Sequence, residues 1–126
     1  MKSHKDLHIY QMALDLCDKI YNLTKQFPKN EIYGLTSQIC RASVSVPSNI
    51  AEGAGRKTQK EFIQFLFIAL GSLAEIETQL EIARRQGYVL DGYCKNVNNL
   101  VYSLRNKVKG LIKKIEIDLK NKSISM

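Results

Sequence analysis

A chain of 126 residues makes one domain, long enough to bury roughly two-thirds of its unfolded surface. Its 44% hydrophobic and 25% charged residues are those of an ordinary soluble globular protein, and two prolines with seven glycines argue against a turn-rich architecture. Three widely spaced cysteines, an odd number, exclude a closed disulfide framework and read as buried free thiols.

Apolar residues Ile9, Ala13, Leu16, Ile20, Leu23 and Phe27 recur at alternating steps of 4 and 3, one face of an amphipathic helix. Pro28 ends it. Asn30 is the expected N-cap of a second helix, with Glu31 favourably placed against the dipole. Its inner stripe is Leu35, Ile39, Ala42, Val46 and Ile50. Pro47 lies inside this pattern and predicts a kink, with Ser43 and Ser45 at hand for the backbone groups it frees. Gly53 and Gly55 are the expected stop.

Thr58 and Glu61 form a capping-box pair that opens the third helix. The seam of that helix is Phe62, Leu66, Ala69, Leu73, Ile76, Leu80 and Ala83. Phe65, Phe67, Ile68 and Leu70 widen the stripe and predict burial on more than one side, and Gly87 ends the helix. Asp91 caps a fourth helix with Tyr93, Val97, Leu100, Leu104, Val108, Leu111 and Ile115 expected inside. The last residues, NKSISM, are expected to fray. No strand alternation interrupts these patterns. Short connections between four helices predict an all-α, antiparallel up-down-up-down four-helix bundle, the second helix kinked near Pro47. It forms a single domain over 1–126 with an ordered core of about 5–118.

The net charge of +7 is uneven. Residues 105–122 hold Arg105, Lys107, Lys109, Lys113, Lys114, Lys120 and Lys122 against Glu116 and Asp118. So dense a basic end attracts phosphate backbones, anionic lipid or an acidic protein. Arg56 and Lys57 add two cations in the turn before the third helix. Tyr88, Tyr93 and Tyr102 are candidates for stacking on bases, with core packing the expectation for Tyr93.

A polar stripe runs beside the apolar faces. Gln38, Arg41, Ser45, Ser48 and Glu52 repeat at 3 and 4 on the second helix, with Asn49 alongside. Gln64, Ser72, Glu75 and Gln79 sit similarly on the third. Glu52 and Arg56 make a favourable i,i+4 pair, and Arg41–Glu75 is a conceivable pair between helices. Small neighbours, among them Ala42, Ser43, Ala51, Gly53 and Gly55, allow another backbone to approach. Gln38, Arg41, Ser45, Asn49, Glu52, Ser72 and Glu75 are therefore the candidate surface for assembly of identical chains, against the plainer reading of two solvated faces.

No residue pattern in the chain points to catalysis. Both histidines, His4 and His8, sit at the leading end, and neither belongs to a Glu-x-x-His pair of the kind a di-iron bundle needs. They lack an evident third ligand, so no metal site and no cofactor is expected. The turn from Gly53 to Thr58 lacks the phosphate-loop spacing. Cys17, Cys40 and Cys94 have no histidine base. No catalytic residue is assigned. The opening MKSHKDLHIYQ has no apolar core and the longest apolar run, 65–70, is too short to span a bilayer, so a cytoplasmic protein with no membrane is expected.

The run Phe27-Pro28, Tyr33 to Gln38, Arg41-Ala42, Val46-Pro-Ser-Asn-Ile-Ala-Glu-Gly53, Arg56, Phe65-Leu66, Ala69, Gly71-Ser72, Glu75 and Glu77-Thr78 resembles a bacterial family of four-helix-bundle proteins. Its founding members are encoded in intervening sequences of large-subunit ribosomal RNA genes, and the accessory protein of diversity-generating retroelements is a more distant relation. The resemblance spans roughly residues 5 to 115. It implies a ring-like homopentamer without known enzymatic activity. An RNA-associated role is often presumed for the family. In the retroelement relative the pentamer engages a reverse transcriptase and nucleic acid.

Two functional expectations from different classes stand ahead of a third, an enzyme, which would require a substrate pocket with a perturbed titratable group. One is a homo-oligomeric nucleic-acid-binding protein, RNA before DNA, acting through Arg56, Lys57, Lys107, Lys109, Lys113 and Lys114. The other is an adaptor whose oligomer recruits a protein partner and whose basic surface is secondary.

Overall fold

The computed structural model describes residues 3–125; of the sequence-based expectations, only the domain's outermost positions, 1, 2 and 126, lie outside them. A 3-10 turn at His4–Asp6 leads into α1 (His8–Thr24), and a second at Lys29–Glu31 precedes α2 (Leu35–Ala54). Then come α3 (Gln59–Arg85) and α4 (Asp91–Ser125). Among the described residues there is no strand. α1 packs against α2 and α4, and α3 against the same two, so the helices close an antiparallel four-helix bundle.

The spacing of apolar residues explains the core. All six of the α1 stripe, from Ile9 to Phe27, are buried, and so are the five of α2 and the seven of α3. Leu16, Ile20, Leu66, Leu73 and Ile76 are fully enclosed, each contributing about 1.5–3 kcal/mol relative to exposure.

Local signals behave unevenly. Thr58 Oγ1 accepts the Glu61 N–H at 3.2 Å, opening α3 as its cap predicts. Gly87, at φ +76°, ends α3 in a Schellman turn: the Tyr88 N–H reaches Ala83 O at 2.9 Å and the Gly87 N–H reaches Arg84 O at 3.0 Å. Asn30, however, does not cap α2. It lies in the 3-10 turn, and α2 begins only at Leu35, after Gly34. The cap function passes to Glu31, whose Oε1 accepts the Leu35 N–H at 3.1 Å. A Cβ on Gly34 would stand 2.7 Å from that same oxygen, so the bare backbone makes room for the carboxylate.

Gly53 is not a stop either. It is buried inside α2, which continues to Ala54. A Cβ there would stand 2.7 Å from Phe65 Cβ and 2.9 Å from Phe62 Cδ1, so the glycine lets α3 close in.

Two expectations about burial are overturned. α3 is buried on one side only: Phe67 and Ile68 are exposed, because α2 and α4 cover its inner face and none of the described residues covers its outer one. In α4 the inward positions are Cys94, Val97, Val101, Leu104, Val108, Ile112 and Ile115. Val97, Leu104, Val108 and Ile115 are buried as expected, but Tyr93 is exposed and Leu100 and Leu111 only half-buried, their neighbours Cys94, Val101 and Ile112 entering the core instead. Nor does α4 fray after Lys120; it stays helical to Ser125. Eight residues longer than α3, it extends about 12 Å further at the usual helical rise.

Candidate nucleic-acid and assembly surfaces

The polar stripe divides into an internal and an external part. Ser72 Oγ donates to Ser45 Oγ at 2.8 Å. Asn49 Nδ2 donates to Ser45 Oγ at 2.9 Å and to Ser45 O at 2.8 Å. Ser45, Asn49 and Ser72 thus satisfy one another across the α2–α3 seam. Among the small residues of α2, Gly53 also serves this seam, while Ser48 and Ala51 face α1. Gln38, Arg41, Glu52 and Glu75 are exposed. Gln38, Arg41 and Glu75 line a cleft with Ala42, Ser45 and Gln79. Arg41 and Glu75 share it without an ion pair between them among the described residues. The Oε1 of Gln79 is buried there with no hydrogen-bond partner. Glu52 does pair with Arg56, at 3.4 Å.

The cations also sort by position. Arg56 is held by Glu52 and lies over the Phe65 ring at 4.8 Å, while Lys57 is exposed in the turn. Lys107, Lys109, Lys113 and Lys114 are all exposed on α4. Asn96 accepts a hydrogen bond from Lys19 of α1 at 2.8 Å. Lys107 and Lys114 lie whole helical turns from Asn96 and so occupy the flank beside α1. Arg105 pairs with Glu77 of α3, and Lys109, four residues on, follows it on that flank with Lys113 one further turn along. Because α3 and α4 are antiparallel, the basic end of α4 lies at the same end of the bundle as Arg56 and Lys57.

The tyrosines separate too. Tyr88 donates its hydroxyl to Glu31 Oε2 at 2.7 Å and packs on Phe27, so it is committed to the fold. Tyr93 and Tyr102 are exposed, and Tyr102 lies seven residues before Lys109, on the same flank.

Groups suited to catalysis stay apart. His4 packs edge-on against Tyr10, 4.9 Å between ring centres, and His8 is the exposed first residue of α1. The described residues contain no group of three or more His, Cys, Asp or Glu able to hold a metal ion. All three cysteines are free thiols, Cys94 buried and Cys17 and Cys40 half-buried, which corrects the expectation of three buried ones. Burial pushes each thiol pKa up, away from the thiolate a nucleophile needs.

Sequence reasoning missed an apolar surface. Tyr10, Leu14, Cys17, Tyr21, Val44 and Pro47 line a groove between α1 and α2. It continues past Tyr21 and Val44 to Ile32, Tyr33 and Arg41, so it adjoins the polar cleft. The signal was present in Leu14, Tyr21 and Val44, apolar residues off the inner stripes. α3 is the one described helix long and apolar enough by composition to cross a membrane. Here its seam fills the bundle core.

The family model described as 23S rRNA-intervening sequence protein matches residues 5–110. The chain belongs to this family. A crystal structure of an S23 ribosomal protein family member of unknown function, from Bacteroides thetaiotaomicron VPI-5482, is similar, with a TM-score of 0.76 and 28% identity. The match covers 83% of this chain and 98% of that one. No curated protein matches the chain. This 23S rRNA-intervening sequence protein therefore has a solved relative of the same fold whose function is itself unknown, and neither description names an enzymatic activity.

Proposed function

We propose that this 23S rRNA-intervening sequence protein is a non-enzymatic homo-oligomer that binds nucleic acid, RNA in the first place, through the basic surface of α4. The observation that carries this reading is the exposure of Lys107, Lys109, Lys113 and Lys114 on both flanks of one helix, none of them ion-paired among the described residues. Unpaired lysines keep their full field for a polyanion, and Arg56 and Lys57 extend it across the same end of the bundle. A pentamer, the assembly the family resemblance implies, carries about +35 formal charge, so its affinity for phosphate backbones falls steeply with salt. Readout is of backbone and shape rather than of base sequence. Assembly uses the exposed part of the stripe, Gln38, Arg41, Glu52 and Glu75, with Ser45, Asn49 and Ser72 shaping the seam behind it.

The test is binding to structured RNA and duplex DNA over a salt series, with mass from light scattering in the same samples. An oligomer that binds at micromolar concentration or tighter, and loses binding when Lys109, Lys113 and Lys114 become Glu, supports the proposal. An oligomer indifferent to both polymers at low salt overturns it and leaves the adaptor reading, in which the oligomer recruits a protein partner. Arg41→Ala and Glu52→Ala should loosen assembly; intact oligomers in both, by sedimentation, would remove them from the interface.

A further inference from the structure

The α2–α3 seam is closed at one level and open at the next two. Ser45 and Ser72 join the helices through their hydroxyls at 2.8 Å. One turn on, about 5 Å along the antiparallel pair, Arg41 of α2 stands level with Glu75 of α3, and one turn beyond that Gln38 stands level with Gln79. Each pair could bond across the seam, yet neither does among the described residues. The four side chains, with Ala42 and Ser45, surround a cleft of about 260 Å³ instead.

Arg41 and Glu75 are exposed, so the lack of an ion pair between them signifies little by itself. Gln79 is different. Its Oε1 is buried in the cleft wall without a donor. Buried polar atoms are nearly always hydrogen-bonded, and an exception calls for a reason. The cleft thus offers a guanidinium donor, a carboxylate acceptor and a buried amide acceptor within one small space. A carboxylate alone would suit Arg41 but be repelled by Glu75 and the Gln79 oxygen. An amine alone would suit those two acceptors but be repelled by Arg41. A ligand carrying both groups satisfies all three. Size narrows the class further, because sites for drug-sized ligands start at roughly 300 Å³, and this cleft is smaller.

We propose that the cleft between Arg41 and Glu75 binds a free α-amino acid. Its carboxylate lies on the Arg41 guanidinium, and its ammonium donates to the Glu75 carboxylate and to Gln79 Oε1. The site depends neither on nucleic-acid binding nor on assembly. It does lie in the stripe that assembly is proposed to use, so occupancy and mass are measured together.

The test titrates L-alanine into isotope-labelled full-length protein and follows the Gln79 side-chain amide by NMR, over a protein dilution series with mass from light scattering. Acetate and ethylamine, each carrying one of the two charges, are the controls. L-alanine should bind at millimolar concentration or tighter and shift the Gln79 amide, with both controls at least about tenfold weaker. Arg41→Ala and Glu75→Gln should each weaken L-alanine about tenfold or more and leave helicity unchanged, since both positions are exposed. Gln79→Leu should weaken binding yet hold or raise the melting temperature of the unliganded protein, because it removes an unbonded buried acceptor. A merely structural glutamine would not give that combination. Acetate binding as well as L-alanine, no response to L-alanine at any dilution, or undiminished affinity in both charge variants overturns the proposal. Mass keeps the site apart from assembly: a monomer that binds L-alanine upholds the cleft and overturns the oligomer reading, and an oligomer whose Gln79 amide never moves does the reverse.

Discussion

The thiol of Cys17 on α1 donates to the backbone carbonyl of Ser43 on α2 at 3.1 Å. That carbonyl is the one Pro47, four residues on and without an N–H, cannot serve. Ser43 is fully buried, so water cannot replace the bond. The hydroxyls once expected to help are occupied elsewhere: Ser43 Oγ donates to Cys40 O at 2.8 Å, and Ser45 Oγ receives Asn49 and Ser72. A neighbouring helix thus satisfies the defect that proline makes in α2.

Cys17→Ala should destabilise the fold by about 1–3 kcal/mol, the cost of an unsatisfied buried carbonyl. Cys17→Ser, which keeps a donor, should cost less. Pro47→Ala restores an N–H to α2, so Cys17→Ala should cost less in that background. Urea unfolding of the four-member cycle reads the coupling; strict additivity would show that the thiol does not serve this carbonyl.

Gly53 and Gly71 should respond oppositely to alanine. Gly53→Ala forces a Cβ against Phe62 and Phe65 and should cost about 1–3 kcal/mol through overpacking. Gly71→Ala meets open space and should raise helix stability by up to about 1 kcal/mol. Thermal unfolding of the two variants at a concentration where assembly is absent separates these effects.

Acid should weaken the fold through Glu31 and Glu81. The Tyr88 hydroxyl, and then the Leu35 N–H, hold the Glu31 carboxyl below its ordinary range. Hydrogen bonds from Arg84 and then Arg85 hold Glu81 at about 2 against an ordinary 4.5. Both values are lowered on folding, so both contributions are present above pH 4.5 and are lost as pH falls through the folded values. Glu81 is exposed and Glu31 half-buried, so screening keeps the effect small and salt-dependent. The urea midpoint should fall below pH 4.5, and the fall should shrink in Glu31→Gln/Glu81→Gln.

The two lysine flanks of α4 can be told apart by salt dependence. If one flank holds the nucleic-acid backbone, removing a phosphate-contacting lysine there should lower the slope of log affinity against log salt by about 1. Lys109→Ala with Lys113→Ala should then differ from Lys107→Ala with Lys114→Ala. Equal losses from the two pairs would mean that the polymer spans α4 from both sides.

The sequence by itself determined the four helices and some of their ends, because these depend on neighbours three and four positions away. The seams of α1, α2 and α3, the Thr58 cap and the Gly87 terminator are of this kind. Only the tertiary structure decided which member of the adjacent pairs Tyr93–Cys94, Leu100–Val101 and Leu111–Ile112 of α4 enters the core. A period cannot choose between adjacent apolar residues; contact with α1 and α3 does. The candidate sites follow the same division. Lysine spacing was legible as a basic helix, but its two flanks appear only once Lys19 and Glu77 show which helix each side faces. The small residues of α2 signalled a close approach without naming the approaching backbone. The fold names α3, because Gly53 meets Phe62 and Phe65 of the same chain, and it leaves the outer face of α3 and the α1–α2 groove without a cover.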